Sequence, residues 1–132
     1  MDISVSTEKG RVEVTVLHVH GNIDSGTYEA FQKQAEELID AGARYLLIDL
    51  SHTGFMSSAG LRALNSLFYR LRSLEPEGRD EDMKKGIRDG TFHSGHLKLA
   101  GVNKDIRQTL EISGLDMYLD VQSDVPTALA SF

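Results

Sequence analysis

Apolar residues near the start of the chain alternate with polar ones. Ile3 and Val5 predict a short opening strand. Positions 11–20 alternate strongly, with Val12, Val14 and Val16 on one side before Leu17 and Val19 shift the register. Lys9 and Gly10 between the two runs predict a hairpin turn, and Gly21-Asn22 ends the second strand. The period then becomes helical. Tyr28, Phe31, Ala35, Leu38 and Ile39 form one stripe, with Asp24 and Ser25 placed to cap its start. Gly42 supplies a left-handed stop, because it lacks the side chain that makes this conformation costly.

Positions 45–50, Tyr-Leu-Leu-Ile-Asp-Leu, are too short an apolar run for a typical helix and read as a central parallel strand. A loop over 51–56 leads into a second helix carrying Leu61, Leu64, Leu67, Phe68, Leu71 and Leu74, whose leading serines can accept otherwise unsatisfied backbone N–H bonds. The pattern breaks at 75–95, where six acids, four bases and four glycines leave few large apolar residues, chiefly Met83, Ile87 and Phe92. This stretch predicts a polar surface insertion, either a contact element or a disordered insert, with a short helix near 81–88. Beyond it, 96–100 reads as a strand, and Asn103 caps a third helix through Ile106, Leu110 and Ile112 that Gly114 closes. A last strand falls at 118–121, and Ser123, Asp124 and Pro126 open a terminal helix. The order ββαβαβαβα, without a convincing repeat, predicts a single α/β domain with a small, mostly parallel sheet covered by helices.

Composition narrows the function classes. A chain of 132 residues, 40% hydrophobic, suffices for one core. Its formal charge of -6 weighs against unspecific binding to nucleic acid or anionic membrane. The absence of cysteine removes disulfides and thiol chemistry and fits a reducing cytosol. Positions 1–10 show no signal-peptide core, and no segment approaches the roughly 20 apolar residues of a membrane span.

Chemistry concentrates at 49–61, Asp-Leu-Ser-His-Thr-Gly-Phe-Met-Ser-Ser-Ala-Gly-Leu, which carries short polar residues from a strand end onto a helix start. Unpaired N–H groups there favour negative charge, so the place suits a phosphoserine. Simple N-capping is the ordinary alternative. Phe55 and Met56 can offer apolar contacts to a partner, with Gly54 and Gly60 allowing close backbone approach; burial of one of the two large side chains is the competing expectation. His18 and His20 lie two apart on one strand face, with no nearby Asp, Glu or third His to complete an evident metal set, and read as ordinary strand surface or edge residues. His93 and His96 flank Ser-Gly outside any recognised metal spacing. The bases Lys84, Lys85 and Arg88 are diluted by neighbouring acids and read as a solvated face. No phosphate-binding loop, nucleophile elbow or evident Ser-His-Asp set appears. These features predict a protein that is not an enzyme and carries no cofactor or metal.

Taken together, Gly21-Asn22-Ile23-Asp24, the 49–61 segment, Leu97-Lys98-Leu99-Ala100-Gly101-Val102 and Leu110-Glu111-Ile112-Ser113-Gly114-Leu115 resemble the STAS domain family, most of all the bacterial anti-sigma factor antagonists. The resemblance covers nearly the whole chain outside 75–95. It implies a mixed sheet whose first strand is antiparallel to its neighbour, and it implies partner switching in the bacterial cytoplasm. Unphosphorylated family members bind an anti-sigma factor with serine kinase activity; phosphorylation ends the interaction and a serine phosphatase restores it. The family's phosphoacceptor falls on Ser58, with Ser57 as the alternative. The preceding residue is usually Asp where Ser57 stands here, and a hydroxyl residue usually follows where Ala59 stands. Asp24 matches a recurrent acidic residue near the switch; capping the first helix is its alternative role. The switch surface is thus expected to comprise Asp24, Phe55, Met56, Ser57 and Gly60. A STAS scaffold, a transport-system regulatory subunit and a small-ligand binding module are the other functions this reading leaves open.

Overall fold

The computed structural model describes residues 1–74 and 95–132. The expected insertion at 75–95 lies outside the described residues except for Gly95, which is exposed.

Strands β1 (Asp2–Lys9), β2 (Glu13–His20), β3 (Leu46–His52), β4 (Leu97–Ala100) and β5 (Asp120–Gln122) form one sheet in the order β1-β2-β3-β4-β5. β1 pairs antiparallel with β2 and the other neighbours are parallel, the mixed arrangement that the resemblance implied. Among the described residues the helices are α1 (Tyr28–Asp40), α2 (Ser58–Ser73), α3 (Lys104–Ser113) and α4 (Val125–Ser131).

Strand β2 corrects the expected register shift. Its alternation runs through Val16 and Leu17 without interruption, and both sides are buried because both sheet faces are covered. Leu17 and Val19 join Leu46, Ile48, Leu50, Leu97 and Leu99 under α1, α2 and α3. Val14 and Val16 face the other way with Leu47 and Ala100, packing on Ala128 of α4. The irregularity in the strand falls later, between His18 and His20. The first strand is also longer than Ile3 and Val5 suggested, since edge residues facing solvent carry no apolar signal. The last strand begins at Asp120 rather than 118, after a single 3-10 turn over Leu115–Met117.

Lys98 fastens α4 to the sheet. Its ammonium is almost fully buried and donates to Asp120 Oδ2 at 3.0 Å and to the carbonyl and hydroxyl oxygens of Ser131 at 2.9 Å. Such burial is tolerated because each hydrogen has an acceptor. Asn103 and Asp124 cap α3 and α4 by accepting from the backbone N–H groups of Ile106 and Thr127. Gly114 ends α3 at a φ of 80°, where a side chain would be strained.

Candidate functional site

The loops at the carboxyl ends of β2 and β3 are stitched to each other. Gly21 N–H donates to His52 O at 3.1 Å, Ile23 N–H to Phe55 O at 3.1 Å, and Ser57 N–H to Ile23 O at 2.9 Å. Thr53 Oγ1 donates to Val19 O beneath them. Asn103 brings in the third loop: its side chain caps α3 through Oδ1 and donates through Nδ2 to Gly54 O at 3.0 Å. One side chain therefore orders two elements.

Burial separates Phe55 from Met56. Met56 is 1% exposed and sits with Ile23 in the main core, whereas Phe55 is 51% exposed. The expectation that Met56 presents a contact surface is corrected: it anchors the loop, and Phe55 alone of the pair faces outward. Gly60 is corrected in the same sense. A Cβ there would lie 2.7 Å from Met56 Cγ, 2.9 Å from Ile23 Cγ2 and 3.0 Å from Ile23 O. The close approach that requires glycine is made by the chain's own loops.

The two serines differ sharply. Ser57 occupies the N-cap position of α2 with an extended backbone, yet its side chain accepts no capping bond. Its Oγ is buried without a hydrogen-bond partner among the described residues. Ser58 begins the helix, is exposed, and makes no side-chain hydrogen bond among the described residues. The expected capping by these serines is thus absent. The first turn of α2 has no side-chain cap among the described residues and contains no acid, and a helix start leaves its first N–H groups without partners inside the helix.

Asp24 lies beside this place, because Ile23 bonds the residue preceding Ser58. It does not cap α1 through its side chain, as expected for Asp24 or Ser25; Thr27 holds the N-cap position. Asp24 Oδ1 accepts from Gly26 N–H at 2.9 Å, while its carbonyl accepts from Tyr28 N–H at 2.9 Å. It folds its own loop as an Asx turn.

The second sheet face holds a polar relay that the sequence did not reveal. Parallel pairing sets His18 opposite Asp49. His18 Nδ1–H donates to Asp49 Oδ2 at 2.7 Å, and His18 Nε2 lies 3.0 Å from Ser6 Oγ. Asp49 Oδ1 accepts from Ser51 Oγ at 2.7 Å and from Ser51 N–H at 3.0 Å. Burial pushes the Asp49 pKa up, but hydrogen bonds from Ser51 and His18 outweigh it and leave the carboxyl below its ordinary value. Residues 31 apart became partners through strand register, which residue spacing does not express. His20 stacks on His52 at 4.6 Å, and His96 on Tyr45 at 4.6 Å. Among the described residues no group of three or more His, Cys, Asp or Glu is arranged to hold a metal, and no helix is long and apolar enough to cross a membrane.

A mixed sheet with this strand order, carrying its loop cluster at the start of α2, defines a class. The chain belongs to the STAS domain family, whose pattern it matches over residues 6–76, more than half its length. BtrV of Bordetella bronchiseptica, assigned as an anti-sigma factor antagonist, is 25% identical over 114 residues, spanning 86% of this chain and 82% of BtrV. An anti-sigma factor antagonist from Mycobacterium paratuberculosis shares the fold with a TM-score of 0.72 and 22% identity, over 98% of this chain and 93% of that one. SpoIIAA, the Bacillus cell fate determinant, in its phosphorylated form shares it with a TM-score of 0.60 and 17% identity, over 96% of this chain and 97% of that one.

Proposed function

We propose that this chain is an anti-sigma factor antagonist working by partner switching in the cytoplasm, a binding regulator and not an enzyme. Its unphosphorylated form binds an anti-sigma factor with serine kinase activity. Phosphorylation of Ser58 releases that partner, and a serine phosphatase resets the switch. The observation that carries the reading is the exposed Ser58 hydroxyl, free of side-chain hydrogen bonds among the described residues, close in the chain to the exposed Phe55 ring. The contrast with Ser57 favours Ser58 as acceptor, since a buried Oγ cannot meet a kinase without rearrangement. The names of BtrV and of the Mycobacterium paratuberculosis protein support the partner class.

A phosphate at Ser58 adds about -1.5 to -2 charges to a surface that must close against a partner. Burying that charge unpaired is costly, so binding fails while the fold persists. The test is site-resolved phosphopeptide mapping after incubation with the kinase recovered by pull-down, paired with calorimetry. Ser58→Ala should abolish phosphorylation and keep binding, and Ser58→Glu should bind more weakly than Ser58→Ala. Phosphate confined to Ser57 would move the switch by one residue. No phosphate at either serine, with Ser58→Glu binding as tightly as wild type, would refute it.

A further inference from the structure

Two polar groups next to Ser58 lack partners among the described residues. One is the buried Ser57 hydroxyl. The other is the Arg62 guanidinium. Arg44 and Arg70 are engaged, the first by the carbonyls of Ile39 and Ala43 and the second by Asp40. Arg62 is exposed and makes no hydrogen bond or ion pair with a described residue.

Its place on α2 explains why. Residues three and four apart on a helix share a face, so the side chains one turn from Arg62 are Ser58, Ala59, Asn65 and Ser66, and Asn65 Oδ1 already accepts from the Tyr118 hydroxyl. The helix runs Ser-Ala-Gly-Leu-Arg-Ala-Leu-Asn-Ser-Leu-Phe-Tyr-Arg-Leu-Arg-Ser and contains no carboxylate. In a chain with twenty acids against fourteen bases, Arg62 is thus left without a counter-charge on its own helix. A phosphate on Ser58 would be the first anion on its face, one turn away.

We propose that Arg62 is the counter-ion, within the same chain, of a phosphate on Ser58; this rests on the phosphorylation reading above. The guanidinium fork presents paired N–H donors to phosphate oxygens, a match that an ammonium lacks. Modification then changes the surface twice. It adds an anion, and it draws an exposed cation away from any acidic group of the partner. The unpartnered Ser57 hydroxyl supplies a further donor beside the same phosphate once its side chain turns outward.

The test uses the full chain with phosphoserine installed at position 58 during translation, so no kinase is needed. Phosphorus NMR titration reads the second phosphate pKa, ordinarily about 6. Pairing should hold it about half a unit lower in the wild-type background than in Arg62→Gln. Arg62→Lys should fall between them, and the gap should shrink in about 1 M salt. The unphosphorylated variants should melt together with wild type, because Arg62 is exposed. Equal phosphate pKa values in wild type and Arg62→Gln would overturn the pairing. That result is distinguishable from failure of the switch itself, which would show as a kinase that leaves Ser58 unmodified.

Discussion

Replacing Gly60 with alanine sets local propensity against tertiary packing. In a helix interior alanine is favoured over glycine by about 0.5–1 kcal/mol, so an exposed helix would gain stability. At Gly60 the new methyl would meet Met56 Cγ at 2.7 Å, Ile23 Cγ2 at 2.9 Å and Ile23 O at 3.0 Å. Met56 can turn, but it is buried at 1% exposure and has little room. The Ile23 carbonyl is held by Ser57 N–H at 2.9 Å and cannot retreat without breaking the seam between the loops. Overpacking of this kind costs about 1–3 kcal/mol, and more where backbone must shift. The expected net result is a loss of about 1–2 kcal/mol after the propensity gain is subtracted. Urea unfolding should show the midpoint falling at constant slope. Hydrogen exchange should show the Ile23 and Ser57 amides losing protection relative to the strands. Gly10→Ala is the control, since a Cβ there has nothing within 4 Å, and it should stay within about 0.5 kcal/mol of wild type. A Gly60→Ala protein as stable as wild type, with both amides still protected, would refute the argument that this glycine seals the loops.

Asn103→Ala should cost about 0.5–2 kcal/mol through the lost cap. Asn103→Asp should keep the cap and lose the Nδ2 bonds to the Gly54 and Thr53 carbonyls, so exchange at the 53–57 loop would rise with little global loss. Phe55→Ala should weaken binding to the proposed partner by about tenfold or more by calorimetry while leaving unfolding within about 0.5 kcal/mol, because the ring is exposed. Asp49→Asn should destabilise the protein at neutral pH by about 1–3 kcal/mol, having lost charged hydrogen bonds with His18 and Ser51. The native pKa of Asp49 lies below the ordinary 3.8, so its stabilising share is full above that value and fades as pH falls through the native pKa. The wild-type advantage over Asp49→Asn should therefore shrink in acid; an advantage unchanged down to about pH 2 would contradict the sign. Asp124, also lowered by hydrogen bonds with Thr127, is common to both proteins and cancels in the difference.

Residue order alone determined the succession of elements, because hydrophobic period, Asn103 as a cap and the glycine stop at Gly114 act within a few residues of one another. It also marked 49–61 as the place for chemistry and framed the choice between Phe55 and Met56. Tertiary structure decided what each of those residues does. Val14 and Leu17 are both buried only because helices cover both sheet faces, a fact that a one-sided alternation cannot express. Met56 went inward and Phe55 outward when Ile23 paired with Met56 across 33 positions, and the same pairing made Gly60 a packing requirement. Ser57 and Ser58 are the same amino acid at adjacent positions, so no composition rule separates them; the turn of the chain onto α2 buries one hydroxyl and exposes the next. Ser6, His18 and Asp49 met through strand register, which depends on pairing between distant segments and becomes fixed only when the sheet closes on its core.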